Sequence, residues 1–190
     1  MSKCVLLSVR PQYCELIANG KKTNEVRKTR PKLETPFKCY IYCTSGAPYL
    51  NRHNGYLYLE ERDTLGGRGH GIYDRLNRKV IGEFVCDEIY QYSTGNIDGQ
   101  TISKDEMQKQ SCLTYDELSE YENSAEPREN CIYLVGLYGW HISALQIYDK
   151  PRELSEFHKP EMPTGLRYED DAIKCPPKSW AYVEEYDGKR

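Results

Sequence analysis

Gly20, Lys22, Glu25 and Arg27 fall within one eight-residue run, GKKTNEVR, that gathers three side chains able to handle charge and protons. A guanidinium can fork onto a phosphate or a base edge. An ammonium supplies a movable cation or, once deprotonated, a base or nucleophile. A carboxylate orients either one or accepts a proton. Period-two alternation over residues 22–29 puts Glu25 and Arg27 on one face of an extended segment, with Lys22 approaching from the preceding turn. The same trio can instead form an internal ion-pair network that pins a helix to a strand, and the residue types leave both readings open. Lys22 and Glu25 are the catalytic candidates if the protein turns over a substrate, a point that residue types alone do not decide.

Other residues could join this group. Arg10 lies just before the first expected helix, where it can reach a phosphate or pair with Glu25. Trp140 and His141 follow an apolar run; an indole there could stack a base while the imidazole hydrogen-bonds it, or the pair could close a core. Trp180 and Tyr182 offer the same choice between a stacking wall and a terminal core strand. The GGRGHG run at 66–71 lacks a preceding strand and a following GK[ST], so it reads as a loop and not as a phosphate cradle.

The elements that must position these residues follow from the patterning. Residues 3–9 have the apolar density of a buried strand. Arg10-Pro11 then starts a helix over 11–19 that Gly20 ends as a left-handed cap. Residues 37–44 and 79–92 read as strands, with Gly82 marking a bulge or a close approach. A capping box at Thr114 and Glu117 opens a short acidic helix to about 121. Strands follow at 131–138, 142–148 and 179–186, with a helical turn near 151–157. Residues 45–78 read as a long loop or irregular hairpin insertion, and 158–178, rich in proline, as an extended arm. Many short strands and few helices predict a mainly β, α+β fold: a small, closed or partly open β-barrel with flanking helices, in one domain spanning 1–190.

Charge and composition narrow the partners. The chain carries a net charge of −3, yet residues 1–32 hold eight Lys and Arg against Glu15 and Glu25, which predicts a local anion-binding face or a solvated basic hairpin. Apolar residues 5–9 are too short for a signal peptide, and no apolar run approaches a membrane span, so a cytoplasmic protein with no membrane partner is expected. The eight cysteines contain no CxxC and the four histidines are scattered. Reduced, mostly buried thiols with no metal and no cofactor are therefore expected.

GKKTNEVR also matches the GxKxxExR signature of ASCH domains through Gly20, Lys22, Glu25 and Arg27. The preceding SVRPQYCELIANG unit, the YIYCT and KVIGEF strands, and WHIS followed by IYDKPRELSEF strengthen the resemblance. The chain resembles this family within the PUA-like superfamily over roughly 3–44, 79–92 and 130–157. The resemblance implies a PUA-like barrel with a cleft beside the first helix, suited to RNA or a modified nucleoside or nucleotide. Some branches resemble amidohydrolases acting on acylated nucleosides, others ribonucleases. In the amidohydrolase branch the catalytic lysine corresponds to Lys22, while a threonine stands where this chain has Glu25. A binding role is the expectation common to these branches, and Arg10, Lys22, Glu25, Arg27, Trp140 and His141 are the candidate ligand contacts. A small hydrolase and a protein-interaction module are the alternatives.

Overall fold

The computed structural model describes residues 2–62, 73–95, 99–124, 136–161 and 170–188. Along the first half of the chain the elements are β1 (Lys3–Val9), α1 (Pro11–Ala18), β2 (Asn24–Arg27), β3 (Phe37–Cys43), β4 (Tyr49–His53), β5 (Tyr56–Glu60), β6 (Tyr73–Arg75), β7 (Val80–Cys86) and β8 (Ile89–Tyr92). The remainder supplies α2 (Lys104–Ser111), α3 (Tyr115–Asn123), β9 (Leu137–His141), β10 (Ser143–Arg152), a 3-10 turn (Leu154–Glu156) and β11 (Trp180–Glu184).

The near-continuous apolar run of β1 is explained by its place near the middle of a five-stranded sheet ordered β10-β7-β3-β1-β11. Val5, Leu7 and Val9 face a core shared with Cys14 and Ile17 of α1. Cys4 and Leu6 face a second core with Phe157 and Ile173. A strand buried on both faces cannot alternate polar with apolar residues. β1 pairs in parallel with β3, and the connection that this requires is supplied by α1 and β2.

Two three-stranded sheets complete the fold. β2-β9-β8 packs under α2 and α3 through Val26, Tyr92, Met107, Leu118 and Leu137. The sheet β5-β4-β6 lies against α1 and occupies much of the stretch read as an insertion. Its β4–β5 turn is Asn54-Gly55, both at positive φ (50° and 84°), as a tight two-residue hairpin turn demands. The class is mainly β, α+β, as expected. β10 and β11 form the two outer edges of the large sheet and do not pair with each other, so among the described residues no sheet closes into a barrel.

The helix at Gly20 and the capping box are where the sequence placed them. Gly20 has φ +69°, and the Thr114 side chain accepts from Glu117 N–H while Glu117 reaches back. α2 was not foreseen. The expected turn at 151–157 contracts to Leu154–Glu156, because β10 runs on to Arg152. The GGRGHG run, residues 131–135 of the expected 131–138 strand and residues 162–169 of the expected arm lie outside the described residues. Cys4, Cys14, Cys39, Cys43 and Cys86 are buried free thiols, Cys112 and Cys175 exposed ones. No helix among the described residues is long and apolar enough to cross a membrane.

Gly82 proves to be a close approach: a Cβ there would stand 2.5 Å from the Gln146 carbonyl oxygen and 3.1 Å from Ile147 Cα on β10. Both offending atoms are backbone, so the strands must separate to admit a methyl group. Gly82→Ala should therefore cost about 1–3 kcal/mol, read as a lowered denaturant midpoint with an unchanged slope.

Candidate functional site

The turn after α1 brings the signature residues to the end of a second helix. Lys21 and Lys22 N–H both donate to the Leu16 carbonyl, at 2.9 and 3.1 Å, which curls the chain out of α1. Thr23 N–H donates to Gln110 O at 2.9 Å and the Cys112 thiol to Lys21 O at 3.3 Å, so the turn is held against the last residues of α2. The Lys22 ammonium donates to Ser111 O at 2.7 Å, where unpaired carbonyls and the helix dipole favour a cation. β2 then runs beside β9, with Asn24 opposite His141 and Glu25 opposite Trp140. Gly139 leaves room for the Asn24 side chain; a Cβ there would stand 2.6 Å from Asn24 Oδ1.

Lys22, Glu25 and Arg27 meet as a buried network. Glu25 Oε2 lies 3.4 Å from Lys22 Nζ and Oε1 lies 3.0 Å from Arg27 Nη2, which also donates to Ser8 O at 2.8 Å. Their exposures are 2%, 5% and 8%. Burial lowers the Lys22 pKa below its ordinary 10.5, and the opposing attraction of Glu25 only partly offsets this. Lys22 Nζ also stands 5.1 Å from the centre of the Tyr13 ring. Glu25 Oε2 and Arg27 Nε have no hydrogen-bond partner among the described residues. The ion-pair network expected as one alternative is present, and it forms the floor of a cleft.

The cleft has a volume of about 600 Å³. Arg10 and Tyr13 line it on the α1 side, Thr44 and Lys178 contribute from the loops after β3 and before β11, and α3 forms the opposite wall. Glu117, Glu120, Tyr121 and Ser124 reach that wall together because a spacing of three, four and seven residues selects one helix face. The Lys28 ammonium ties the wall to β2, donating to Ser124 Oγ at 2.8 Å and lying 4.7 Å from the Tyr121 ring centre. Burial raises the Tyr121 pKa, and the Arg27 guanidinium beside its hydroxyl opposes that rise.

The other expected residues divide. Arg10 is exposed at the cleft, while Glu25 pairs with Lys22 and Arg27. Trp140 is fully buried, with Phe37 at 5.8 Å and Trp180 at 5.9 Å between ring centres, and has no free face for a ligand. His141 sits away from the cleft with Nδ1 2.7 Å from Asp87 Oδ1. Trp140, although paired with Glu25 across the strands, is therefore turned into the core, His141 lies outside the cleft lining, and the cleft is lined instead by Tyr13, Tyr121, Glu117, Glu120 and Lys178. The signal for the α3 residues was legible as the spacing of one helix face after a capping box. Nothing in the sequence placed that face opposite Lys22. No group of three potential metal-ligating side chains exists among the described residues.

No family model and no curated protein matches the sequence. Among solved structures, ASCH from Zymomonas mobilis is similar, with 15% identity and a TM-score of 0.53 over 95% of this chain and 87% of that one. Tyrosine-to-phenylalanine and serine-to-alanine variants of the Zymomonas mobilis protein are each 14% identical over 97% of this chain, covering 92% and 90% of theirs, with TM-scores of 0.48 and 0.47. The chain has an ASCH-like fold.

Glu25 offsets two buried cations, so Glu25→Gln should destabilise the protein by about 3–5 kcal/mol; Lys22→Met, which spares the Arg27 pair, should cost less, both read by urea denaturation. Between the lowered Lys22 pKa and 10.5 the unfolded chain binds a proton that the folded chain does not. Stability from this group therefore rises with pH across that window. The parent should gain on Lys22→Met as the titration climbs toward 10.5.

Proposed function

We propose, with an ASCH-like fold as the premise, that the cleft binds a nucleoside or nucleotide, free or as one residue of an RNA. The observation that carries this reading is the buried Lys22–Glu25–Arg27 floor lying between two tyrosines in a cleft of about 600 Å³. That volume lies within the usual range for small ligands. Tyr13 and Tyr121 supply aromatic surface for a base. The lining sets the cations Arg10, Lys22, Arg27 and Lys178 against the carboxylates Glu25, Glu117 and Glu120, so it balances about one negative charge, not a run of phosphates. Lys22 and Arg27 are already engaged with Glu25 and backbone carbonyls. Exposed Arg10 and Lys178 are the groups free to meet a phosphate.

Lys22 favours one second reading, amide hydrolysis of an acylated nucleoside. Its lowered pKa makes the neutral amine available at a lower pH than in an exposed lysine, as a base or nucleophile requires. Such an activity would rise with pH through the lowered pKa, and Lys22→Arg would abolish it while sparing binding, since arginine keeps the cation and does not deprotonate.

Calorimetric titration with paired nucleosides and their monophosphates tests the binding proposal. Arg10→Ala should weaken the monophosphate about tenfold, the loss of one charge-assisted contact, and leave the nucleoside unchanged. Binding of neither class, or equal losses for both, would overturn the reading. Product analysis with acylated nucleosides, on the parent and on Lys22→Arg, decides the hydrolytic alternative.

A further inference from the structure

A second surface begins where the cleft ends. Ser8 joins the two: its carbonyl accepts from Arg27 on the cleft floor, its N–H donates to Ser179 O at 3.0 Å, and its hydroxyl donates to Pro177 O at 2.6 Å. Lys178, held between those contacts, lines the cleft. From there the chain enters β11, an edge strand hydrogen-bonded only to β1 within the large sheet.

Trp180 and Tyr182 share one face of β11, and each is tied to the segment that follows β2. Trp180 Nε1 donates to Thr29 Oγ1 at 3.0 Å, and Lys32 N–H donates to the Tyr182 hydroxyl at 2.7 Å. These two contacts fix residues 29–32 alongside the strand, with Arg30 and Lys32 exposed. At the far end the Lys3 ammonium stands 5.1 Å from the Tyr182 ring centre. Lys3, Arg30, Lys32 and Lys178 are all exposed, and none forms an ion pair among the described residues. Of the nearby carboxylates, Glu184 is buried, Glu185 pairs with Lys38 at 3.0 Å, and Glu34 and Asp187 are exposed.

We infer that this aromatic and basic edge is a track for single-stranded RNA, which carries the strand flanking the nucleotide held in the cleft. The inference rests on the cleft reading for its starting point and on the edge for its own chemistry. Cations interleaved with half-buried rings suit a chain that alternates phosphates with bases. From Lys178 to the register of Lys3, opposite Glu184, the edge runs six residues, roughly 20 Å at strand rise. That length accommodates a few nucleotides beyond the cleft. The Trp180 and Tyr182 rings meet at 74° with centres 5.3 Å apart, so they form a corner and not a continuous stack. Trp180 is the ring whose orientation is fixed by its own hydrogen bond, and a base stacks there while Lys3 and Lys32 meet phosphates.

The test compares a uridine monophosphate with a labelled oligouridine of about eight nucleotides, within the site sizes of single-strand binders. Lys3→Gln combined with Lys32→Gln should weaken the oligonucleotide about tenfold at low salt and reduce the slope of log affinity against log salt by about 1.4, two phosphates' worth. The monophosphate should bind as to the parent. The chain has two tryptophans, of which Trp140 is fully buried, so oligouridine should quench the Trp180 emission, and Trp180→Phe should remove that quenching. Undiminished oligonucleotide affinity in the double variant, or equally tight salt-sensitive binding to phosphatidylserine vesicles, would overturn the track. Oligonucleotide binding that depends on the edge, with neither the monophosphate nor its nucleoside bound, would uphold the track and defeat the cleft reading, so the two fail separately.

Discussion

Two cations withdrawn from water converge on the single carboxylate of Glu25, and the surrounding fold is arranged to make that tolerable. Charges at this depth are stable only when their pairing and hydrogen bonds replace hydration. Ser111 at the end of α2, Ser8 at the end of β1 and Glu25 itself share the task. The consequence is a joint: the helical layer, β1 and the short β2 all meet at one electrostatic node. α2 itself has little apolar surface, with Met107 its one buried hydrophobic side chain, so its attachment depends on this node and on the Gln110 contact to Thr23.

The node also sets the character of the cleft. Because Lys22 and Arg27 are already partnered, the floor is a polar surface of low net charge, and the free positive charge is displaced to the rim. α3 brings carboxylates opposite that rim. For the proposed nucleotide, a cavity so balanced would discriminate by shape, stacking and single contacts more than by bulk attraction.

Much of this was readable before the structure, for identifiable reasons. β1 and β3 announced themselves because burial on both faces leaves no room for polar residues, and α1 because Arg10-Pro11 opens it and Gly20 closes it. The Asn54-Gly55 turn and the Ser103-to-Glu106 cap of α2 were signals present in the sequence, yet the strands flanking the first are short and do not alternate, and the polar composition of α2 masked its periodicity. Trp140 shows what residue type cannot supply. An indole serves a core or a ligand equally well, and only the register that sets it opposite Glu25, under Phe37 and Trp180, decides for the core. The far wall of the cleft was hidden for the same reason: α3 lies some ninety residues beyond Lys22, and no local pattern specifies that juxtaposition.

β1 takes β3 on one side and β11 on the other, so its second partner is drawn from residues 180–184, far later in the chain. Until that segment has been synthesised, one edge of this apolar strand has no neighbour within its own chain. Pairings so distant in sequence form late, because a long loop must close before any contact rewards it. Until then this edge is open to pairing with other nascent chains. The nascent chain is therefore open to misassembly at β1, and pausing shortly before residue 180 would lengthen that interval.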